Sequence, residues 1–280
     1  MNPSFSIIST LVETAKLARR YARLFLVLTV IGSILPFAIQ WIAAGMVAPQ
    51  MPDHPKPEDL SKVGSAVAFG FLSFVASIFQ LVIGVAIQAA ILGTLKTAAT
   101  GSGQWPAIKS SLRRYTWPLV ILAFLLGIIA IVITVPFTFL ILAISSPSNH
   151  NEATPYIAAF LSMLVAVLYF VFAKYALADP LVVVEDLNPL AALRRSWQMT
   201  RGRFGYVVGC YIFVGTGEYL LIMLFQYLES PSAISWLNGV DAILNSALGS
   251  YWTFLAWVMY IRIKSTGAQA GEPVTEIAPA

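Results

Sequence analysis

The chain alternates long, unbroken apolar runs with short polar, basic or proline-rich connections. The runs lie at 24–48, 66–95, 117–145, 156–177, 204–228 and 240–263. Each is long enough, at roughly 20 residues or more, to cross about 30 Å of hydrocarbon as a helix. A closed β-barrel would instead need segments of about 10 residues alternating apolar and polar, and these runs are apolar on every side. The pattern therefore predicts an all-α, polytopic membrane protein: one six-span domain over 1–264. An amphipathic helix is expected over 4–22, with Phe5, Ile8, Val12, Ala15 and Ala18 on one face and Glu13, Lys16, Arg20 and Arg23 on the rest. The run that follows it is longer than the core of a secretory signal, so an uncleaved first span is expected. Pro36 and Pro136 fall inside runs, where lipid-embedded helices kink rather than stop. In the second run, Gly70, Gly84, Gly93, Ala86, Ala89 and Ala90 suit close helix packing. The tail at 265–280, small, polar and proline-containing, is expected to be disordered.

Composition sharpens this reading. The 280 residues are 58% hydrophobic and 11% charged, against about 25% charged in soluble domains. Charge matters here by location. Lys16, Arg19, Arg20, Arg23, Lys96, Lys109, Arg113, Arg114, Lys174, Arg194, Arg195, Arg201, Arg203, Arg262 and Lys264 fall on one side of the predicted topology, and only Lys56 and Lys62 on the other. The positive-inside rule then puts both termini in the cytoplasm. The cations serve topology, and no nucleic-acid partner is expected. Cys210 is the single cysteine, which excludes a disulfide framework and a thiolate metal cluster. His54 and His150 sit in outer loops without a second ligand nearby. No metal, cofactor or catalytic residue is expected: no phosphate-binding loop follows a strand, and the glycine-rich stretch Gly215–Tyr219 lies within a span.

A basic lead-in with an aromatic residue recurs before the odd-numbered spans. Arg19/Arg20 precede Tyr21, Arg113/Arg114 precede Tyr115, and Arg201/Arg203 precede Phe204, with Arg194/Arg195 an equal candidate for the third pair. One account is three repeats of interfacial helix plus transmembrane hairpin. The other is that every inward-starting span needs basic and aromatic anchors.

The connection from Lys174 to Gly209 is the most elaborate of these. Asn188 and Pro189 form a helix start, as N-cap and first helical residue. Leu190, Leu193 and Trp197 share a face, with Arg194, Arg195 and Gln198 on the others, as in a helix lying in the headgroup plane. Guanidinium pairs with phosphate bidentately, so Arg19, Arg20, Arg113, Arg114, Arg194, Arg195, Arg201 and Arg203 are candidate contacts for anionic lipid headgroups. The run with Pro180, Val182 to Val184 and Glu185, followed by Pro189, Ala192, Ser196 and Thr200, resembles bacterial YciC-like inner-membrane proteins and the membrane domain joined to some glycerophosphodiester phosphodiesterases. The close match covers about 35 residues. The resemblance implies a multi-pass protein of the bacterial inner membrane. The phosphodiesterase chemistry belongs to a separate domain whose histidines and metal ligands this chain lacks.

Two further sites carry charge near or within lipid. Glu218 lies inside the fifth span, where a carboxylate is costly and a functional candidate. Lys174 and Asp179 bracket the end of the fourth and are expected to serve structurally, pairing with the arginines that follow and fixing the connection against the bundle. The function expected is a non-enzymatic scaffold or accessory protein in envelope or lipid organisation. Its partners are membrane lipids, anionic ones above all, with a membrane-protein partner or a second copy of the chain as the protein contact. The alternative is a transporter or lipid-handling permease with a polar site at Glu218.

Overall fold

A computed structural model describes residues 6–24, 26–30, 60–98, 104–144, 150–228 and 236–269, and every described element is a helix. In chain order they are α1 (Ile7–Arg20), α2 (Leu60–Ala98), α3 (Gln104–Ile144), α4 (His150–Tyr175), α5 (Ala178–Val184), α6 (Pro189–Thr200), α7 (Phe204–Leu228) and α8 (Trp236–Gln269). Residues 22–24 and 26–30 are also helical, after a break at Tyr21. Most of the predicted first span, beyond residue 30, lies outside the described residues, as do Phe5, Pro36 and 270–280.

Among the described residues, four stretches are long and apolar enough to cross a membrane: Ser77–Ala98, Pro106–Leu140, Phe160–Val184 and Phe204–Leu221. Their outward surfaces carry many exposed apolar side chains. Ile128, Ile131, Val132 and Phe139 on α3 are all more than half exposed, an arrangement compatible with a protein embedded in a membrane and costly in water. The predicted sixth run is helical within α8, but serine, threonine, tyrosine and tryptophan dilute its described part, and it is not among the four.

Several boundaries differ from the sequence expectation. The basic segment before the third run is not a separate helix, because α3 runs unbroken through Pro118 and Pro136. Pro118 removes one hydrogen bond, which a surrounding bundle tolerates. The chain does not become polar tail at Ser265. The helix continues to Gln269, with the Ser265 and Thr266 hydroxyls donating to the Arg262 carbonyl.

The largest difference is in the fourth run. α4 ends at Tyr175, the backbone turns at Ala176–Leu177, and the chain continues as the short buried helix α5. Ala178, Pro180, Leu181, Val182 and Val183 are all buried there. The "connection" is thus the plug of the bundle, packed against α2, α3, α6 and α8. Its apolar side chains join Leu92, Leu119, Leu122, Leu255 and Met259 in the main core. α2 and α3 approach closely where Gly93 meets Ser111, as the small-residue surface of Ala89, Ala90 and Gly93 predicts.

Both amphipathic helices bury a face other than the most apolar one. α1 turns Thr10 and Thr14 inward with Ile7 and Leu11, while Ile8 and Val12, on its predicted apolar face, are exposed. α6 buries Ala192, Leu193, Ser196 and Thr200, leaving Leu190 and Trp197 exposed. In each case the inward face is the one whose hydroxyls meet backbone or side-chain partners, and the leftover apolar side chains face outward.

Candidate functional site

The polar chemistry of the described residues gathers at one end of the bundle, where Lys96, Arg114, Lys174, Arg262 and Lys264 lie, and in the interior just below it. The break after α4 explains the first part of this cluster. A helix that stops leaves carbonyls without partners, and in an apolar interior each must find one. Ser196 Oγ donates to the Lys174 carbonyl at 2.9 Å and accepts from the Leu177 N–H at 3.2 Å. Thr200 Oγ1 also reaches the Lys174 carbonyl, at 3.3 Å. The serine and threonine spaced four apart on α6 are thus the cap of α4 and the tie to α5. Asn188 caps α6 as expected, its Oδ1 accepting from the Ala191 N–H at 2.8 Å, with Pro189 next.

Between α5 and α6, the adjacent acids Glu185 and Asp186 serve opposite walls. Asp186 takes a left-handed backbone (φ 54), which aspartate tolerates better than most residues, and this turn separates the two side chains. Glu185 accepts from Tyr260 Oη and Lys264 Nζ of α8, each at 2.8 Å. Asp186 accepts from Tyr115 Oη of α3 at 2.5 Å and Lys96 Nζ of α2 at 3.2 Å, with Arg114 also at 3.2 Å. Lys96 donates in addition to the Val183 carbonyl at 2.7 Å. Burial alone would raise both carboxyls. Hydrogen bonds from Lys264 and Tyr260, with the Lys264 and Arg195 charges, hold Glu185 below its ordinary range. Hydrogen bonds from Tyr115 and Lys96, with the Lys96 and Arg114 charges, do the same for Asp186. Burial would lower Lys264, but its bonds to Glu185 and Tyr260 carry it above its ordinary value.

A third clasp fastens α1. Arg262 donates to Glu13 through Nε at 2.9 Å, and through Nη1 to Ser9 Oγ at 2.7 Å and Thr10 Oγ1 at 3.0 Å. Thr10 Oγ1 also lies 2.7 Å from Tyr206 Oη. The clasp partners Glu13, Glu185, Asp186 and Arg262 were legible only as topology or amphipathic charge. Their tyrosine partners gave no sequence signal beyond aromatic anchoring.

Of the predicted lipid-contact arginines, Arg19, Arg20, Arg113, Arg194 and Arg201 are exposed and make no ion pair with a described residue. Arg114 is drawn to Asp186, and Arg195 lies near Glu185. Arg203 is half-buried and has partners of its own. Neither Lys174 nor Asp179 makes an ion pair with a described residue. The buried Lys174 ammonium lies 4.1 Å from the Phe204 ring centroid and 5.1 Å from that of Trp197, while Asp179 makes no hydrogen bond or ion pair with a described residue. The break after Tyr175 sends the two side chains to different neighbours. Glu218 accepts from the indole N–H of Trp252 at 2.9 Å. Among the described residues no three His, Cys, Asp or Glu side chains come together as a metal site.

No curated protein and no solved structure matches the chain. A family profile does, over residues 5–264, taking in all six predicted spans and every residue of the three clasps: the chain belongs to the family described as a domain of unknown function, DUF7847.

Proposed function

We propose that the chain is a non-enzymatic integral protein of a bacterial inner membrane, with six spans and both termini cytoplasmic. In this reading it serves as a scaffold or accessory subunit in envelope or lipid organisation, and its exposed arginines hold anionic headgroups. One observation carries the proposal. The acids at the basic end, Glu13, Glu185 and Asp186, are each held by an internal arginine, lysine or tyrosine. Arg19, Arg20, Arg113, Arg194 and Arg201 face outward with no such partner among the described residues. Neutralised acids and free arginines at one end make a surface suited to phosphate. Each basic residue near an anionic surface contributes about 1 kcal/mol. The resemblance to YciC-like proteins points the same way, as does the outward apolar edge of α6 at Leu190 and Trp197. Replacing the five arginines by glutamine is expected to abolish the stabilisation of the purified protein by phosphatidylglycerol, relative to phosphatidylcholine, in thermal melts. An unchanged preference would overturn the proposal.

A second reading, a transporter or lipid-handling permease, is favoured by the Glu218–Trp252 bond, since it commits an intramembrane carboxylate to an aromatic that borders a cavity. It fails if Glu218→Gln complements a deletion strain fully under every condition tested.

A further inference from the structure

Below the basic end, a cavity of about 240 Å³ opens among α2, α3, α4, α5, α7 and α8. Asp179, on the first turn of α5, is the single ionisable carboxylate lining it. Asp179 is half-buried, enclosed by protein on α5 and lining this cavity. Its nearest cation in sequence, Lys174, is spent on the Phe204 and Trp197 rings. No described residue donates a hydrogen bond or offers an ion pair to Asp179. A carboxylate enclosed by apolar and aromatic side chains without a partner is costly, and its neighbours show what would complete it. Phe172, Tyr175, Tyr211 and Trp252 supply four aromatic rings to the same cavity. Tyr211 and Trp252 lie against each other, with centroids 4.7 Å apart, and the Trp252 indole is held in place by Glu218.

We propose that this cavity is a binding site for a small organic ammonium ion, its charge met by the Asp179 carboxylate and its methyl or methylene groups by the aromatic rings. The choice of ligand follows from the lining. Calcium takes six to eight oxygen ligands, whereas here one carboxylate is supplemented only by the oxygens of Gln88, Thr253 and the two tyrosines. A bare alkali or alkaline-earth ion would remain underliganded. Aromatic rings around a single negative charge are instead the arrangement that stabilises alkylammonium groups, through cation–π attraction in a desolvated site. The volume, below the usual 300–1,000 Å³ of ligand pockets, limits the ligand to a headgroup-sized amine. The site does not depend on the headgroup-contacting role of the surface arginines, none of which lines it.

The test is calorimetric titration of the full-length protein in neutral maltoside detergent with choline, and with its uncharged isostere 3,3-dimethylbutan-1-ol. Choline is expected to bind saturably and the isostere not. Asp179→Asn is expected to weaken choline binding by about tenfold or more without lowering the melting temperature. If that variant does not fold, the choline–isostere comparison on the unaltered protein decides. Equal binding of the two, binding undiminished in Asp179→Asn, displacement of choline by sodium or potassium chloride at like concentration, or no saturable heat would each overturn the proposal. A final arm separates the source of the ammonium. Competition by phosphatidylethanolamine or phosphatidylcholine supports a lipid headgroup as ligand, and binding of choline that these lipids leave unaffected supports a soluble amine.

Discussion

Ser196 binds both ends of the break between α4 and α5, donating to the carbonyl of Lys174 and accepting from the N–H of Leu177. With Ser196 fully buried, Ser196→Ala leaves the Leu177 N–H without a partner in an apolar setting, a loss of about 1–3 kcal/mol. The Lys174 carbonyl keeps Thr200, which limits the damage. Melting in detergent should fall by that equivalent, while Arg194→Ala on the exposed side of the same helix should leave it unchanged. An undiminished melting temperature in Ser196→Ala would remove the capping role.

The acid pair makes stability depend on pH at both extremes. Glu185 and Asp186 are held below their ordinary values of 4.5 and 3.8. Their contribution is therefore complete above those values and lost as pH falls through the lowered ones. Lys264 is raised above 10.5, so its contribution is present below that value and lost as pH rises past the raised one. Melting temperature is expected to hold a plateau from about pH 5 to about pH 10. Glu185→Gln and Asp186→Asn should each lower the plateau and flatten the acid limb. Because Asp186 is the more exposed, Glu185→Gln should have the larger effect.

Much of this arrangement is legible in the amino-acid sequence because lipid simplifies the problem. Only a helix or closed barrel satisfies the backbone there, so apolar length alone locates α2, α3, α4 and α7. The Asn188–Pro189 helix start is equally local and is found where expected. What the sequence hides is the break at Ala176–Leu177. Apolar residues such as Leu181 and Val183 read the same whether a span is ending or a short helix is plugging a bundle, and only the caps from Ser196 and Thr200, about 20 residues on, distinguish the two. Faces are hidden for a related reason. A soluble amphipathic helix buries its apolar side, but at a lipid boundary apolar side chains lose nothing by facing outward. Threonine and serine on α1 and α6 therefore win the inward positions. Lys174 and Asp179, expected to pair with the arginines, meet other neighbours for the same reason: proximity in sequence says little across a break in the helix.

Arg262 couples α1 to α8 over nearly the whole chain, through Glu13, Ser9 and Thr10. Glu13 is more than half exposed, so the ion pair itself adds little. The buried part is the set of hydroxyl contacts. Arg262→Gln should leave the bundle folded but free α1, raising hydrogen exchange across 7–20 by about tenfold, or about 1.4 kcal/mol. Exchange in α2 and α3 should not change. Uniformly faster exchange would mean that Arg262 supports the whole bundle rather than one clasp.

The close crossing of α2 and α3 offers a test in which the second substitution should repair the first. A methyl group at Gly93 would overlap both Cβ and Oγ of Ser111, whereas the Ser111 Cα, at 3.7 Å, would be an ordinary contact. Since both helices have tightly packed neighbours at this level, with Leu92 fully buried and Ser111 3% exposed, neither backbone can give way cheaply. Gly93→Ala alone should cost about 1–3 kcal/mol. Ser111→Gly alone should cost about 1 kcal/mol through helix propensity. If the overlap is the cause, the double substitution is more stable than the sum of the two predicts, by about 0.5–3 kcal/mol of coupling. Strict additivity in denaturant or thermal unfolding would show instead that the helices separate freely at this crossing.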